Sequence, residues 1–486
     1  MTEVSGVAVL EQTVPVFASE ALQATTAESV ERRAWRERLE QRVLNPLANT
    51  GLAYWIWTAF LLAVIGWAIY AYVTQLEYGL IVTGMRDRVS WGVYIISFVF
   101  FIGISHAGTL LSAILRATKA RWQLSITRMA EFITVVALMV GALFPLIDMG
   151  RPERILNLIF YGRWQSPLLW DILAITTYLT GSTIYLFLPL IPDFALCRDR
   201  LGPTAPGWKR AFFNAAALGW TGAAWQRQAL ERAITIMMCI IIPVAVSVHT
   251  VVSWIFAMSL REPFNSTVFG PFFVAGAIFS GVAAIIVLMA VLRKLLHLEE
   301  FITPTQFKAL GYLLGAFTLI MIYFNLQEYV VTGYKMSEGV PFHFEQLMLG
   351  SLAPEFWFYI VGGMVVPGLI ILNPRTRTIP GIVVAALLVI VTMWIERYLI
   401  VVGGFSVPLM AYDPGTYAPS WVEWSILAGA FALFALIVTV FTKLFPMVSV
   451  WEVVEHRGPE VVPQIQRPRR AAPRVVDHVR AERSLA

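Results

Sequence analysis

Long apolar stretches dominate this sequence of 486 residues and restrict its fold more than any other feature. Ten of them reach the length of about 20 residues that a helix needs to cross a bilayer core about 30 Å thick. The sequence therefore predicts an all-α polytopic membrane protein with ten transmembrane helices, at 52–76, 89–117, 128–147, 168–191, 234–260, 270–297, 305–332, 353–373, 379–402 and 420–446.

The composition excludes other classes of protein. Only 14% of the residues are charged, whereas a soluble domain carries about 25%. The hydrophobic share of 58% also excludes a disordered chain. The net charge is +5, but the basic residues lie mainly in loops and tails. A lipid membrane is therefore the expected partner, and nucleic acid is not.

The basic residues also predict the topology. The loops after even-numbered spans carry fifteen Lys and Arg, Arg128 among them, and the loops after odd-numbered spans carry seven. Because basic loops stay in the cytoplasm, both tails are predicted to be cytoplasmic. The predicted organisation is an N-terminal tail at 1–50, a helical domain at 51–446 and a C-terminal tail at 447–486.

A weak internal repeat divides the helical domain. The second span starts with Trp91-Gly92-Val93-Tyr94 and the sixth with Gly270-Pro271-Phe272-Phe273, each a glycine beside aromatic residues. Repeats in parallel orientation are common in polytopic proteins. Two four-helix bundles, spans 2–5 at 89–260 and spans 6–9 at 270–402, are predicted, with spans one and ten as flanking helices.

The second span carries a stripe of polar side chains. Ser105, His106, Thr109 and Ser112 recur at spacings of three and four residues, which places them on one helix face. An ionisable side chain at membrane depth costs about 2.5–3.5 kcal/mol on insertion scales and is a functional candidate. Two interpretations stay open, namely helix packing through small hydroxyl residues and a proton relay that includes His106 and Thr109.

Two carboxylates flank the loop between the third and fourth spans, near the face opposite to the tails. Asp148 closes the third span and Asp171 opens the fourth. A structural role is open for each, as an ion pair of Asp148 with Arg151 or Arg154 and as a first-turn acid at the helix dipole for Asp171. Neither structural role explains why two acids lie at one depth in adjacent helices. Asp148 and Asp171 are therefore both candidate site residues.

Two further spans bring ionisable groups toward the same face. His249 lies on the fifth span with Glu262 in the loop that follows, and Glu396 and Arg397 lie on the ninth. Four helices thus place titratable groups at one depth. This coincidence predicts one polar site rather than separate structural residues.

Haem and metal cofactors are not expected. His106 and His249 are the histidines inside the predicted spans, and counting from the span ends puts them on opposite sides of the midplane. Bis-histidine haem ligation needs ligands at matched depth. His343 is interpreted as a loop or span-end residue. Two cysteines, Cys197 and Cys239, are too few for an iron–sulfur cluster.

Four separated motifs resemble those of one family. They are SHAGT at 105–109, FPLIDMGRP at 144–152, SPLLWD at 166–171 and GPFFVAGAIFSG at 270–281. Over residues 50–445 the chain is similar to the polysulfide-reductase membrane-subunit (NrfD-like) family. Within that family its ten spans and long tails look most like the larger quinol-binding membrane subunit (ActC) of bacterial alternative complex III.

The resemblance implies a quinol site in the first bundle, near the periplasmic face of the bacterial cytoplasmic (inner) membrane. Carried onto this sequence, the pocket residues are Asp148, Asp171, His249 and Arg397. Asp171 and His249 are expected to bind the quinol hydroxyls and take their protons, and Trp170 and Trp254 to hold the ring. Menaquinol is the expected substrate.

The resemblance also implies routes for protons and electrons. Asp148 and Glu262 are expected to lead protons outward. A second hypothesis adds relays that cross the membrane, with the residues His106, Thr109, Glu131 and Glu328. Electrons are expected to leave to an iron–sulfur subunit on the periplasmic face and then to haem c subunits, beside a second NrfD-like membrane subunit.

Two other functions stay open at this stage. One is the membrane anchor of a molybdenum oxidoreductase such as polysulfide reductase, which shares the bundles but not the long tails. The other is a secondary transporter, since ten spans with a repeat also suit that class. Transporters usually have helices broken at the midplane, for which Pro243 and Pro367 are the weak candidates.

Overall fold

The computed structural model describes residues 34–118, 126–203, 205–259, 261, 264, 266, 268–337, 339–408, 410 and 413–451. Within these ranges the regular elements are helices, and ten of them are long and apolar enough to cross a membrane. They are α1 (Leu52–Tyr78), α2 (Val93–Ala117), α3 (Thr127–Asp148), α4 (Pro167–Arg200), α5 (Ala224–Ala257), α6 (Phe269–Leu295), α7 (Pro304–Lys335), α8 (Ala353–Leu372), α9 (Ile379–Ser406) and α10 (Trp421–Phe441). The predicted polytopic helical fold is confirmed.

Two helices are longer than their apolar stretches. The fourth span was expected to end at 191 but α4 continues to Arg200, and the fifth was expected to begin at 234 but α5 begins at Ala224. The added turns contain Arg198, Arg227 and other charged residues. Hydropathy detects the part of a helix that lies in the bilayer core, so these polar extensions escaped the prediction.

Ten crossings bring the start of α1 and the end of α10 to the same side of the membrane, which we name the terminal side. The other side is named the opposite side. Short helices lie between the spans, among them Ile155–Phe160 and Val340–Met348 on the opposite side and Gly207–Ala216 on the terminal side.

Two rings of four helices form the centre of the fold. In the first ring α2 packs on α3, α3 on α4, α4 on α5, and α5 on α2. In the second ring α6, α7, α8 and α9 pack in the same order. The rings meet where α2 contacts α6 and α9 and where α5 contacts α6. The predicted division into bundles of spans 2–5 and 6–9 is therefore correct.

Small residues of the recognised motifs allow these helices to approach closely. Gly281 of α6 lies against Ala107 of α2, and a methyl group at this glycine would overlap the alanine. Gly108 of α2 faces the backbone of Ala130 of α3 in the same way. Membrane helices associate through such small residues because lipid gives them no hydrophobic drive. The motifs thus mark helix contacts as well as the site.

The flanking helices α1 and α10 pack on each other, and α10 also contacts α2 and α3. In the apolar window of α1 6% of the residues are buried, against 94% in α2. α1 therefore faces lipid, whereas α2 is the central helix.

The larger compact unit of the chain, Arg38–Val453, does not begin and end at the predicted tail boundaries. Within the larger unit Leu39 and Val448 are buried. The predicted functional boundaries at 50 and 446 stay predictions.

Candidate functional site

Two histidines from adjacent helices are in contact inside the first bundle. The rings of His106 on α2 and His249 on α5 lie 4.4 Å apart between centroids, and both residues are buried. Their predicted positions on opposite sides of the midplane are wrong. Because α2 and α5 differ in length, the depth of a residue counted from the end of α2 cannot be compared with a depth counted from the end of α5. Rings in contact leave no room for a haem between them, and the absence of haem stays a prediction.

Both ring nitrogens of His106 face main-chain carbonyl oxygens. Nδ1 lies 2.9 Å from the oxygen of Ile102 and Nε2 lies 2.5 Å from that of Ala245. A neutral imidazole has one N–H donor, so only the doubly protonated ring donates to both. Tyr178 of α4 packs 5.1 Å from His106 between ring centroids, and its hydroxyl donates to the carbonyl oxygen of Ser105 at 3.1 Å. His106 therefore links α2, α4 and α5.

His249 is the least satisfied polar group of this cluster. Among the described residues neither of its ring nitrogens has a well-aligned hydrogen-bond partner, although the side chain is fully buried and the main chain of Phe273 lies close to the ring. Its ring packs 5.7 Å from that of Phe273 on α6, and Arg397 on α9 is close enough to interact with it electrostatically. A buried polar group without a partner costs about 1–3 kcal/mol. A bound polar ligand or water at His249 removes this cost.

Arg397 lies where the two bundles meet. Its guanidinium is ion-paired with the neighbouring Glu396, and both residues are buried. A methyl group at Gly276 of α6 would lie 3.2 Å from Nη2, and one at Gly103 of α2 would lie 3.7 Å from it. The absence of side chains at these two glycines therefore leaves the space that the guanidinium occupies. In the described chain its Nε has no hydrogen-bond partner, so a donor remains for another group.

Asp171 lies on the buried face of α4, near the opposite side. It is 6% exposed, and Oδ1 has no hydrogen-bond partner in the described ranges. Tyr178, which contacts the histidine pair, follows on the same face about 10 Å along the helix. The preceding Trp170 donates from Nε1 to the carbonyl oxygen of Trp164 at 2.5 Å and packs edge-on against Trp254, with ring centroids 6.4 Å apart. The two predicted ring-holding tryptophans are thus in contact beside Asp171.

Asp148 has a different environment, between α3, α2 and α10. Its electrostatic neighbours are Glu423 and Tyr94. No ion pair joins it to Arg151 or Arg154 within the described residues, where its Oδ1 also has no hydrogen-bond partner. The same part of the chain shows no contact between Asp148 and the histidine pair. The predicted pocket residues therefore do not form one contact cluster: His249 and Arg397 lie together, Asp171 lies about 10 Å along α4 from Tyr178, and Asp148 lies apart beside Glu423.

A buried acid beside Asp148 was not predicted. Glu423 accepts hydrogen bonds from the backbone N–H of Ser420 at 2.9 Å and of Gly84 at 2.6 Å, and from the Tyr417 hydroxyl at 2.5 Å. A serine three residues before a glutamate is the sequence sign of a capping box, so the capping interaction between Ser420 and Glu423 could have been predicted from the sequence. Burial, with the charge of Glu423, raises the pKa of Tyr417 and keeps its hydroxyl a donor.

Glu131 of α3 continues the polar stripe of α2 toward the terminal side. It accepts hydrogen bonds from Ser112 Oγ at 2.6 Å and from Arg116 Nη2 at 3.2 Å. Ser112 also lies 3.4 Å from the hydroxyl of Tyr185. Thr109 lies one turn away toward the histidine pair, and its buried Oγ1 has no well-aligned hydrogen-bond partner in the described chain, although the Tyr178 hydroxyl lies close to it. Three predicted relay residues of the first bundle thus follow one line along α2 and α3.

A cavity of about 60 Å³ lies in the second bundle, toward the opposite side, with a largely apolar wall into which several polar side chains reach. Its polar lining comes from Asn325 and Glu328 of α7, His343 of the short helix Val340–Met348, Tyr359 of α8 and Glu396 of α9. Ser266 Oγ donates to Glu328 Oε2 at 2.5 Å. At about 15 Å³ for each, there is room for about four water molecules. The predicted relay residue Glu328 therefore borders a space that water can fill.

His343 is the cavity residue that had been interpreted as a loop or span-end residue; it lies in the short helix Val340–Met348 between two spans. It is 5% exposed, and within the described chain its Nδ1 has no hydrogen-bond partner. Burial lowers the pKa of His343 to about 4, so the ring is neutral at pH 7. Only its type, a histidine between two predicted spans, was visible in the sequence.

Two other predictions concern charged residues of the loops. Arg128, counted as a loop charge, is buried and ion-paired with Asp193 of α4, and its Nη2 donates to Ser449 Oγ at 3.1 Å. It still lies on the terminal side, so its place in the topology holds, but its role is to join helices. Glu262 lies outside the described residues.

The comparisons with known proteins agree with this architecture. Residues 81–408 match the family described as polysulphide reductase, NrfD. The match covers more than half of the chain, including both bundles. The chain belongs to this family, and with ten apolar helices it is a multi-pass membrane protein.

Three similar proteins carry more specific names. A candidate membrane subunit of dimethyl sulfoxide reductase from Halobacterium salinarum is 26% identical over 436 residues, 83% of this chain and 93% of that protein. A selenate reductase subunit from Mesobacillus selenatarsenatis is 25% identical over 83% of this chain and 96% of its own length. An Hdr-like menaquinol oxidoreductase integral membrane subunit of Archaeoglobus fulgidus is 24% identical over 84% and 98%.

Proposed function

We propose that this chain is the quinol-oxidising membrane subunit of an alternative complex III and takes menaquinol near the periplasmic face. The name of the Archaeoglobus relative, a menaquinol oxidoreductase subunit, supports the substrate. The electrons pass to an iron–sulfur subunit on that face and on to haem c subunits. A second NrfD-like subunit lies beside the chain, and both tails are in the bacterial cytoplasm, as the loop charges indicate.

The observation that carries this proposal is the environment of His249. A quinol gives up two protons with its two electrons, so its site needs bases that can accept them. His249 offers two buried ring nitrogens without a well-aligned partner in the described chain. The nearby Arg397 cation favours deprotonation of a hydroxyl bound there. Arg397 is held by Glu396 but keeps its Nε without a hydrogen-bond partner in the described chain, so a hydroxyl ligand between the two side chains would use donors and acceptors that are otherwise poorly satisfied.

Asp171 is the second base of the proposed site. Its unpartnered Oδ1 lies on the face of α4 that leads to Tyr178 and the histidine pair. The ring of the quinol lies between Asp171 and His249, and Trp170 and Trp254 hold its edge and its tail. Asp148, at the end of α3, and Glu262 lead the released protons outward.

A proton route through the membrane extends the proposal. In the first bundle it follows His106, Thr109 and Glu131, which lie along one line toward the terminal side. In the second bundle Glu328 holds protons in the cavity. The support for both routes is the position of these groups beside one another or beside a water-sized space.

The membrane anchor of a molybdenum reductase is the second candidate function. Two relatives are named as subunits of dimethyl sulfoxide and selenate reductases, which supports this assembly. None of these three relatives is named a transporter, and we do not propose that alternative. Mass spectrometry of the complex distinguishes the two assemblies, because haem c subunits belong to the first and a molybdenum subunit to the second.

Site variants of the intact complex test the quinol proposal. His249→Ala and Asp171→Asn each remove a proton acceptor, and loss of a general base lowers rates by about 10²–10⁴. We expect menaquinol-dependent reduction of the complex to fall by about 10² or more, measured as the initial rate with purified complexes that contain the same set of subunits.

A matched change on the same helix is the control. Asp199→Asn alters an exposed aspartate near the other end of α4, whose partner is the adjacent Arg198, and should leave the rate unchanged. Normal rates in both site variants would refute the assignment of Asp171 and His249. Loss of partner subunits from a variant would be detected by gel electrophoresis of the purified complex and assigned to assembly.

A further inference from the structure

A large apolar slot lies at the terminal side, away from the proposed quinol site. It has a volume of about 660 Å³ and lies between α1 and α10 on one side and α2 and α6 on the other. Its walls are aliphatic and aromatic, with Trp57 of α1, Phe100 of α2, Leu288 of α6 and Phe431 of α10. Pockets of about 300–1,000 Å³ are of the size that binds one small molecule.

The depth of the slot equals one leaflet of a bilayer. Along α10 and the turn that follows it the lining runs from Phe431 to Lys443, and along α6 and the residue that follows it the lining runs from Ala284 to Leu296. Twelve residues of helix rise about 18 Å, and half of the hydrocarbon core is about 15 Å. The slot therefore extends from headgroup level to the middle of the membrane, which is the reach of one acyl chain.

Lys443 lines the headgroup end of the slot, and Lys209 lies beside Lys443, outside the lining. Lys443 Nζ donates to the carbonyl oxygens of Pro46 and Asn49, both at 2.7 Å, and Lys209 Nζ donates to that of Leu47 at 3.0 Å. Desolvation and the neighbouring Lys209 lower the pKa of Lys443. Within the described chain neither ammonium group has a carboxylate partner. An anion at this point relieves the repulsion between the two cations.

We propose that the slot binds one anionic phospholipid, with an acyl chain between the four helices and the phosphate at Lys443 and Lys209. Basic pockets between helices on the cytoplasmic side are suited to such headgroups. A quinone has the tail but lacks the anionic group. A helix of a partner subunit, about 10 Å wide and 18 Å long, needs about 1,400 Å³, which exceeds the slot. The inference concerns a separate site and does not depend on quinol oxidation.

Native mass spectrometry of the intact complex tests the proposal. The complex is exchanged into vesicles of phosphatidylglycerol with phosphatidylcholine, then extracted with detergent, and the retained lipid is counted. We expect one phosphatidylglycerol per chain. The double variant Lys443→Gln with Lys209→Gln should retain about tenfold less. The matched control, Lys308→Gln with Arg375→Gln, changes two exposed cations of the same side and should retain the wild-type amount.

A second variant tests the apolar half of the site without touching the charges. Ala435→Phe fills the slot from α10, and we expect the same loss of phosphatidylglycerol. Ala63→Phe on the exposed face of α1 is its control. Equal retention of both lipids, or retention by both variants, overturns the proposal. A third result would also overturn the proposal. If added menaquinone binds to the lysine double variant but not to Ala435→Phe, the slot binds an isoprenoid tail rather than an anionic phospholipid.

Discussion

The two bundles share their helix packing but bury their ionisable groups in different ways. In the first bundle the rings of His106 and His249 are in contact with each other and with aromatic neighbours. In the second bundle Glu328, Glu396 and His343 line a cavity of about 60 Å³. One cluster is packed and the other has space for water.

This difference follows from the chemistry of the side chains. A neutral imidazole can be buried against rings and backbone carbonyls, whereas a carboxylate in an apolar interior needs a cation or water. The packed histidines present few, well-placed acceptors, which suits the recognition of an organic hydroxyl. The acids around the cavity suit the storage of protons among water molecules. Equivalent bundles have thus acquired different chemical capacities.

Adjacent residues of α9 connect the two clusters. Glu396 lines the cavity of the second bundle, and its ion-pair partner Arg397 lies against Gly103 of the first bundle and interacts with His249. A change of charge at either cluster therefore acts on the other through one buried pair.

The largest effect is expected from breaking this pair. Arg397→Gln leaves Glu396 buried without its cation, and removal of one partner of a buried pair costs about 3–5 kcal/mol. We expect a lower thermal midpoint of the purified complex and a fall in menaquinol oxidation of about 10² or more, since a preorganised donor is lost. The measurements are thermal unfolding and initial rate.

The double variant Glu396→Gln with Arg397→Gln is the decisive comparison. It removes both charges, so part of the lost stability should return while the rate stays low. Arg375→Gln, an exposed arginine at the terminal side, is the control for charge alone. If Arg397→Gln is as stable as the double variant, the two bundles are not coupled through this pair.

Much of the fold was predictable because it depends on patterns along the chain. The apolar stretches marked the ten helices, and the repeated glycine and aromatic starts of α2 and α6 indicated two bundles that the structure confirms. The contact of His106 with His249 was not predictable. It depends on how helices of unequal length are aligned, and counting from the ends of apolar stretches carries no information on that alignment.

Buried pairs between distant residues were missed for a similar reason. Arg128 and Asp193 are separated by 65 positions, and either one read alone looks like a charge at the end of a span. His343 looked like a loop or span-end residue because no apolar stretch contains it, although the helix Val340–Met348 buries it. The site residues themselves, Asp171 and His249, stay predictions whose surroundings fit their proposed role.

A smaller effect is expected when the proton routes of the two bundles are interrupted separately. Glu131→Gln acts on the first bundle and Glu328→Gln on the second, and neither contacts the proposed quinol site. With the complex in vesicles and a pH-sensitive dye inside, each should lower the protons taken up per quinol oxidised. The rate in detergent should stay within about twofold.

The exposed Glu299→Gln is the control for these two acids. A loss of uptake in Glu131→Gln with none in Glu328→Gln would restrict the route to the first bundle. If vesicles of the wild-type complex take up no protons from the inside beyond quinol stoichiometry, neither bundle conducts, and the proposed proton route is wrong.

The smallest effect is a pH dependence of stability that is expected from the cavity of the second bundle and concerns His343. His343, which faces Glu328, Glu396, Tyr329 and Tyr359 across the cavity, has a pKa lowered by burial from 6.5 to about 4. Between these values the unfolded chain binds more protons than the folded one, so stability falls as the pH falls from 6.5 toward 4. In His343→Gln this decline should be smaller, by at most about 1.4 kcal/mol for each pH unit.

Thermal midpoints of the wild type and of His343→Gln, measured from pH 4.5 to 8.5, check this expectation. Above pH 7 the histidine is neutral in both the folded and the unfolded chain, so the two curves should run parallel there and serve as their own control. Below pH 6.5 the midpoint of the wild type should fall more steeply than that of the variant, because only the wild type loses stability through the lowered pKa of a buried ring. Parallel curves over the whole range would mean that His343 is accessible to protons in the folded protein, and that water in the cavity solvates it as well as bulk water does.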